Sequence, residues 1–324
     1  MVLSQSLPLA LAALVLEALI GYPAALYRTA GHPVTWMGVW LAWLEKRFNR
    51  PGISAVRRAL GALALAAYLA PVALVCLAAT RLLTPIGALG FAVLALMAAS
   101  LPAQRSLHAH VRAVAEGLDT GLEEGRRAVA RIVGRNPDVL DGAGVARAAI
   151  ESLAENFSDG VVAPIFWTAL GGLTGGALYK AVNTADSMIG HRCDRYAAFG
   201  WAAARLDDLV NFPASRLAAL WLVLAAFLMA EASPWAAARA VMRDARKHRS
   251  PNAGWPEAAT AGALGLRLAG PRVYGETLID DAFMGEGKRE ATAADIRRAL
   301  GLYRLACLIQ GFGLAAAATV ISRS

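Results

Sequence analysis

Charged residues are scarce in this sequence. Asp, Glu, Lys and Arg make up 17% of its 324 residues, whereas an ordinary soluble domain contains roughly 25% of them. Hydrophobic residues make up 57%, and the mean hydropathy is +0.46. Because a helix needs about 20 apolar residues to cross a bilayer, the long stretches without charge predict an integral membrane protein.

Cysteine is also scarce, and the common catalytic motifs are absent. Cys76, Cys193 and Cys307 lie far apart and without CxxC spacing, which indicates neither a zinc site nor a disulfide framework. The sequence contains no GxxxxGK(S/T) loop, no GxGxxG before a helix, no HExxH and no GxSxG. Any nucleotide must therefore be bound by a different arrangement of residues.

Basic residues are absent before Arg28. The N-terminal segment therefore lacks the basic start of a cleaved signal peptide, and we expect it to stay attached. The formal net charge is +8, but the basic residues cluster beside apolar segments. This distribution favours contact with membrane lipid and argues against binding of nucleic acid. One such cluster predicts a cytoplasmic loop by the positive-inside rule; it consists of Arg28, Lys46, Arg47, Arg50, Arg57 and Arg58.

The predicted fold is an all-α, multi-helix transmembrane bundle that forms a single membrane-embedded domain over residues 1–324. No internal repeat or linker marks a boundary. Residues 59–80 and 82–104 predict a helical hairpin. The other candidate spans are 7–27, which Glu17 interrupts, 161–179, 217–230 and 305–322. An amphipathic helix is predicted from the helical spacing of Leu107, Val111, Val114, Leu118 and Leu122.

The segment 161–179 raises a question of topology, because a simple crossing would place the polar loops before and after it on opposite sides of the membrane. Pro164 and the glycine-rich run 171–176 weaken a straight helix. We therefore expect a broken or re-entrant helix that lines a cavity, so that one site at the cytoplasmic face can use both loops.

Three acids precede that segment at helical spacing. Glu151, Glu155 and Asp159 follow i, i+4, i+8, which stacks like charges on one face if the helix continues. Solvent, an arginine or a hard cation such as Mg²⁺ relieves the repulsion. The spacing alone is consistent with two interpretations: the three acids are simply exposed to solvent, or they bind a metal ion.

A second polar group follows the segment. Lys180, Asn183, Thr184 and Ser187 share a helical face, which suits a phosphate or a carboxylate. Further on come two arginines and an acidic pair, and the members of that pair point to different helix faces, so that one can bind metal while the other pairs with an arginine. Ionisable residues between apolar segments are typical of functional sites; here they are Arg195, Arg205, Asp207 and Asp208.

Residues 247–257 combine basic, amide, aromatic and acidic side chains with two prolines, which fix the backbone. A basic run beside a bilayer most often faces lipid headgroups. Asn252 and Glu257, on either side of Trp255, would also orient a large polar ligand. Elsewhere, His32 is a base, a ligand or a capping residue.

Five stretches together resemble the CobD/CbiB family of cobalamin-biosynthesis amide synthases, in the family's order. They are GHPVTWMG at 31–38, AIESLAENFSDGVVAP at 149–164, YKAVNTADSMIG at 179–190, FGWAAARLDDLVN at 199–211 and SPNAGWPEAATAG at 250–262. Two positions depart from the family pattern: Tyr22 replaces a usual acidic residue, and Glu17 replaces a frequent Asp. These departures weaken the case for a metal or substrate role at that corner.

The resemblance implies a ligase that forms an amide between the free propionate of adenosylcobyric acid and aminopropanol or aminopropanol phosphate, with ATP and Mg²⁺. A second protein or a homo-oligomer is possible in this family. Given this reaction, the residues assigned to metal binding are Glu151, Glu155, Asp159 and Asp207 or Asp208. The residues assigned to binding phosphate or carboxylate are Lys180, Arg195, Arg205 and Ser187. Glu257, with His32 behind it, is the candidate base, and Lys180 is counted with them as catalytic. The corrinoid is assigned to Asn183, Asn252 and Trp255.

Two other classes remain open at this point. A non-enzymatic sensor or assembly protein related to the family, like the ancillary protein of β-lactamase induction, would not need Asn252, Trp255 and Glu257 together with the acids. A corrinoid transporter is consistent with the glycine-broken segment and the charges near the membrane.

Overall fold

The computed structural model describes residues 3–134, 136–274, 277–279 and 281–323. Within these ranges the chain is almost entirely helical, which confirms the predicted all-α class. The helices in chain order are α1 (Leu3–Ile20), α2 (Ala24–Ala30), α3 (Pro33–Phe48), α4 (Ser54–Leu83), α5 (Ala88–Ala98), α6 (Gln104–Thr120), α7 (Leu122–Val129), α8 (Gly142–Phe157), α9 (Ala163–Ile189), α10 (Trp201–Phe227), α11 (Pro234–Asp244), α12 (Gly254–Leu264) and α13 (Ala293–Arg323). The short strands are β1 (Leu268–Ala269), β2 (Arg272–Tyr274), β3 (Thr277–Ile279) and β4 (Phe283–Met284).

Five helical stretches in the described chain are long and apolar enough to cross a membrane. They are Leu3–Ile20, Ser54–Ile86, Gly142–Ile189, Trp201–Phe227 and Ala293–Arg323. Each contains or overlaps one of the predicted spans, which confirms a multi-helix membrane protein.

The second arm of the predicted hairpin is shorter than expected. Instead of a span over 82–104, the structure has α5, which is 11 residues long and therefore about 17 Å, roughly half the thickness of a bilayer core. The reason is local: a 3₁₀ turn over Thr84–Ile86 contains Pro85, and Gly87 follows with φ 71°. This turn ends α4 and delays the start of α5, so the prediction of a full second span is wrong.

The chain folds into two compact units. The first comprises Met1–Ala103, Ala163–Asn211 and Leu314–Ser324. Its core lies between α3, α4, α9 and the start of α10, around the fully buried Tyr68 and Phe199. Gly61 on α4 permits this packing, because a Cβ at that position would lie 1.9 Å from the carbonyl oxygen of Phe199.

Helix α9 is interrupted inside the first unit, as the glycine run predicts. Gly172 has φ 62° and ψ −156°, a conformation that is essentially restricted to glycine. The interruption frees backbone carbonyls before it, and one of them is satisfied by a side chain: Ser6 Oγ on α1 donates to Ala169 O over 2.6 Å. The fold therefore supplies a hydrogen-bond partner for the backbone at the break. That the segment is re-entrant remains a prediction.

The second unit comprises Gln104–Val162 and Phe212–Gly313. In it, α6 packs against α7 and α8, and α11 packs against α12. β1 pairs antiparallel with β4, and β2 pairs antiparallel with β3. The predicted amphipathic helix is α6, which buries Leu107, Val111 and Val114. It ends at Thr120, before the last predicted position, and Leu122 is exposed at the start of α7.

Candidate functional site

The polar side chains of α9 and α10 in the first unit form one hydrogen-bonded group around Asp207. Asn211 Nδ2 donates to Asp207 Oδ2 over 2.9 Å, and Asn183 Nδ2 lies 3.4 Å from Asp207 Oδ1. The Tyr179 hydroxyl donates to Asn211 Oδ1 over 2.8 Å. Asp207 is thus buried and held by two amides rather than by a cation in the described structure.

Asp208 turns to another side of α10 and pairs with Arg205 at 3.1 Å. Asp186 on α9 is near enough to both aspartates of the pair for the negative charges to repel each other. The site predicted from the sequence does not include Asp186. The three carboxylates make this end of α9 and α10 the most acidic part of the first unit's polar group, which suits a cation.

Lys180 and Ser187 stand on the same helix. Lys180 is half-buried, and Ser187 is exposed, with its hydroxyl donating to Asn183 O over 2.9 Å. The Ser187 oxygen keeps its lone pairs, so the hydroxyl accepts further bonds more readily than it donates them. The predicted row along α9 is therefore present, with its polar atoms on one helix face.

His32 acts as the N-cap of α3, one of the roles that the sequence left open. Its Nδ1 accepts from the backbone N–H of Val34 over 3.2 Å. Burial, helped by the nearby positive charge of Lys180, lowers the pKa of His32 below its ordinary value. The imidazole is consequently neutral at pH 7, with Nδ1 occupied by the cap.

Arg195 has a partner other than the predicted oxyanion. Its Nε and Nη2 donate to Glu45 Oε1 and Oε2 at 3.1 and 3.0 Å, a two-bond pairing typical of arginine with carboxylates. Burial would raise the pKa of Glu45, but hydrogen bonds from Arg195 and Asn49 and the charges of Arg195 and Lys46 outweigh it and lower that pKa. The pair fastens the loop before α10 to the end of α3.

The three acids of the second unit do not form the continuous stack that an unbroken α-helix predicts. Glu151 is buried, and its Oε1 accepts from the backbone N–H of Ala269 over 2.8 Å; Glu155 is exposed. Residues Ser158–Val162 form a π-helical turn, whose i to i+5 spacing is wider than that of an α-helix. Asp159 lies on this turn, so the α-helical stack extends only as far as Glu155.

Asn252, Trp255 and Arg216 form a compact group in the second unit. Arg216 Nη1 donates to Asn252 Oδ1 over 2.7 Å, and its guanidinium carbon lies 4.4 Å from the centroid of the Trp255 ring. Ser215 Oγ also bonds Asn252 Oδ1, at 3.2 Å. The structure therefore brings two predicted corrinoid residues together around an arginine that sequence reasoning left out of the site.

Glu257 is buried on α12, two residues after Trp255. His248 Nε2 lies 3.8 Å from Glu257 Oε1, while His248 Nδ1 accepts from the Ser250 N–H over 3.0 Å. His248 Nδ1 also lies 3.3 Å from Ser250 O; in the neutral tautomer in which Nδ1 accepts from the Ser250 N–H, Nε2 carries the proton on the side of the carboxylate. The predicted base is thus a buried carboxylate beside an imidazole, and His248 is the second residue that sequence reasoning did not assign.

A metal site made by the protein alone is not present in the described ranges: no group of three or more His, Cys, Asp and Glu side chains there could hold an ion. Mg²⁺ that binds with nucleotide phosphates needs only one or two carboxylates, with water completing its octahedron. The carboxylates near the end of α9 and on α10 fit that smaller requirement, whereas Glu151 is already engaged by a backbone N–H.

Comparison with known proteins identifies the family. The model of the CobD/Cbib protein family matches residues 10–303. The chain is 50% identical over 289 residues to "Cobalamin biosynthesis protein CobD" of Rhodobacter capsulatus, which covers 89% of each chain. It is 51% identical over 296 residues to the protein of that name from Brucella suis, which covers 90% of each.

A third relative with the same name, from Sinorhizobium fredii, is 47% identical over 312 residues and covers 95% of this chain and 94% of its own. No solved structure matches the chain. The family model and these three relatives each match most of the chain. The chain therefore belongs to the CobD/CbiB family of cobalamin-biosynthesis proteins.

Proposed function

We propose that this protein is an adenosylcobinamide-phosphate synthase type of carbon–nitrogen ligase, which joins the free propionate of adenosylcobyric acid to (R)-1-amino-2-propanol or its O-phosphate. The observation that carries the proposal is the group on α10, on α12 and on the segment just before α12, where a buried Glu257 near His248 accompanies an arginine, an amide and an indole. Family membership in cobalamin biosynthesis supports it. We place the protein in the cell (inner) membrane with this group facing the cytoplasm.

Amide formation from a carboxylate requires an activated acyl group, because a carboxylate oxygen is a poor leaving group. ATP with Mg²⁺ would supply the phosphoryl group that activates it. Lys180 and Arg205 carry the positive charge that suits phosphate, and Asp207 and Asp208 are the candidate partners of the metal. Glu155 and Asp159 are the remaining carboxylates proposed for this role, and Ser187 offers an oxygen on the same face as Lys180.

The protein's own task in the second step is to receive a proton. The amine is protonated near pH 7, so it must lose one proton before its nitrogen attacks the acyl carbon and a second as the C–N bond forms and phosphate leaves. Glu257 is buried, so its carboxylate has little water to compete for that proton. His248 Nε2 lies 3.8 Å from the same carboxylate, beyond direct hydrogen-bond distance, so a proton would pass between them through one bridging water or after a small approach of the two side chains.

Asn252 and Trp255 would hold the corrinoid. Its peripheral amides need hydrogen-bond partners, and its ring system needs an apolar wall; an amide and an indole provide one of each. Asn183, which lies against Asp207 in the first unit, is the other amide proposed for the corrinoid. These roles extend the sequence-based assignment, and each rests on a single side chain.

The test is product formation by the detergent-purified chain. The protein is incubated with adenosylcobyric acid, ATP, Mg²⁺ and either aminopropanol or its phosphate, and the corrinoid is followed by mass. We expect a mass gain equal to amide formation, and the preferred acceptor identifies the substrate. Corrinoid bound but never converted would indicate a missing protein partner or another acceptor. Uptake of unchanged corrinoid into vesicles would establish a transporter, and neither product nor binding would favour a sensor.

Glu257→Gln tests the base. The change keeps the shape of the side chain but removes the proton acceptor, so we expect kcat to fall about 10²- to 10⁴-fold while corrinoid affinity stays within about threefold. Glu116→Gln is the matched control, because Glu116 is exposed on α6 and pairs only with Arg112 among described residues. Unchanged kcat in Glu257→Gln would exclude this residue as the base. Full activity in both Glu155→Gln and Asp207→Asn would exclude the metal assignment.

A further inference from the structure

Arg216 is held from one side only. Its three hydrogen bonds in the described structure all start from Nη1 and end on Asn252 Oδ1, Ser215 Oγ and Phe212 O, at 2.7, 2.9 and 3.1 Å. The Nε and Nη2 donors have no partner among the described residues. These two N–H groups lie along one edge of the guanidinium, the edge that binds two oxygens of a carboxylate or phosphate at once.

Aromatic rings fix the plane of this guanidinium without neutralising it. The Arg216 guanidinium carbon lies 3.6 Å from the centroid of the Phe212 ring and 4.4 Å from that of Trp255. Contacts of a cation with ring faces stabilise the charge, but the rings carry no negative charge to pair with it. The site is therefore oriented and still cationic.

The positive charge is also not cancelled by a carboxylate. In the ranges that the structure describes, Arg216 makes no ion pair, and Arg246 is near enough to add a second repelling positive charge. The side chain is half-buried, so water screens it only in part. A cation kept half-buried, oriented and unpaired beside a second cation is costly unless an anion joins it.

We propose that Arg216 is the receptor for an oxyanion, a carboxylate or a phosphate, of a substrate bound against Trp255 and Asn252, with its Nε and Nη2 edge donating to two oxygens of that anion. The proposal rests on the proposed function, because it assigns a specificity-determining contact to that same site. Asn252 is a positioning residue in it: its Oδ1 fixes Nη1, and so the direction of the free edge.

The experiment measures binding rather than turnover. Wild type, Arg216→Gln, Arg216→Lys and Arg239→Gln are prepared as full chains in detergent. Arg239 is the matched control, because it is exposed on α11 and has no hydrogen bond or ion pair in the described structure. Equilibrium dialysis gives the Kd for adenosylcobyric acid, which has the free carboxylate, and for adenosylcobinamide, in which that position is an amide. Calorimetry gives the Kd for aminopropanol phosphate and for inorganic phosphate.

We expect Arg216→Gln to weaken binding of one class of oxyanion about 10- to 100-fold, the effect of losing charge-assisted bonds, and to leave adenosylcobinamide and the Arg239→Gln control unchanged. A loss confined to adenosylcobyric acid identifies the carboxylate. A loss confined to the two phosphate probes identifies the phosphate. Arg216→Lys keeps the charge without the two-donor edge, so its affinity should fall between those of wild type and Arg216→Gln, and it replaces Arg216→Gln if the latter does not fold.

Two results would overturn the proposal. Wild-type affinity for all four probes in Arg216→Gln or Arg216→Lys would show that the free edge binds no anion. An equal loss for adenosylcobyric acid and adenosylcobinamide would show that Arg216 only supports the fold around Trp255. Product formation by the wild type is a separate outcome: oxyanion binding that depends on Arg216 in a chain that makes no amide would sustain this inference and refute the synthase.

Discussion

The interruption of α9 can be tested with two neighbouring glycines. Gly172 has φ 62° and ψ −156°, so an alanine there is strained by about 1–3 kcal/mol. A Cβ at Gly171 meets nothing within 4 Å, and alanine in an ordinary helical conformation gains up to about 1 kcal/mol over glycine. We therefore expect Gly172→Ala to destabilise the fold and Gly171→Ala to be neutral or stabilising, a difference of about 1–4 kcal/mol between adjacent positions.

The measurement is unfolding in mixed micelles. Far-ultraviolet circular dichroism follows the helix content while the fraction of denaturing detergent rises, and the free energy of unfolding is compared for the wild type and both variants. Since both variants add one methyl group to the same helix, they differ chiefly in the backbone conformation at the substituted residue. Equal stability of the two variants, or a larger loss in Gly171→Ala, would refute the idea that α9 is interrupted at Gly172.

Three further substitutions test single contacts by the same unfolding measurement. Ser6→Ala removes the 2.6 Å bond to Ala169 O and should cost about 1–3 kcal/mol because a buried carbonyl loses its donor; no loss would contradict it. Burial raises the pKa of Asp244, but hydrogen bonds from Arg243, the Gly285 N–H and Lys247 lower it by more, so that the pKa falls to about 2. A depressed pKa means that the stabilisation is complete above pH 4 and is lost as the pH falls toward 2. Asp244→Asn should therefore cost about 1–2 kcal/mol at pH 7, a value reduced because its partners are solvated, and progressively less in acid. A cost that does not change with pH would contradict this prediction. Glu45→Gln should cost about 1 kcal/mol or less, since Arg195 is largely exposed, and a loss above 3 kcal/mol would contradict that estimate.

The local part of the candidate site could be predicted from the sequence. Lys180, Asn183 and Ser187 fall on one face because their spacing follows the helical period, and the structure has them on α9. Adjacent residues such as Asp207 and Asp208 must point to different sides of a helix. In the structure Asp208 pairs with Arg205, whereas Asp207 is contacted by the side-chain amides of Asn211 and Asn183. Such conclusions need no knowledge of neighbouring helices.

The partners of the buried charges could not be predicted in this way. Glu151 bonds a backbone N–H 118 residues away, and Arg195 pairs with Glu45 across 150 residues. Arg216 comes at the start of an apolar run, and nothing in its spacing connects it to Asn252, 36 residues further on. Helical periodicity describes which residues share a face, but it does not say which face of which helix lies opposite.

The amino-acid sequence was enough to identify a helical membrane protein of the CobD/CbiB family, because runs without charge and the order of the polar blocks can be read directly along the chain. It also determined that the glycine-rich segment would break a helix, since glycine and proline act locally. The structure also showed that a local turn at Pro85 and Gly87 leaves α5 too short to be a full span. The folded chain alone revealed which glycine takes the break and that Arg216 and His248 join Trp255 and Glu257. These last two outcomes depend on packing between distant segments, where close approach and burial choose the partner of each polar group.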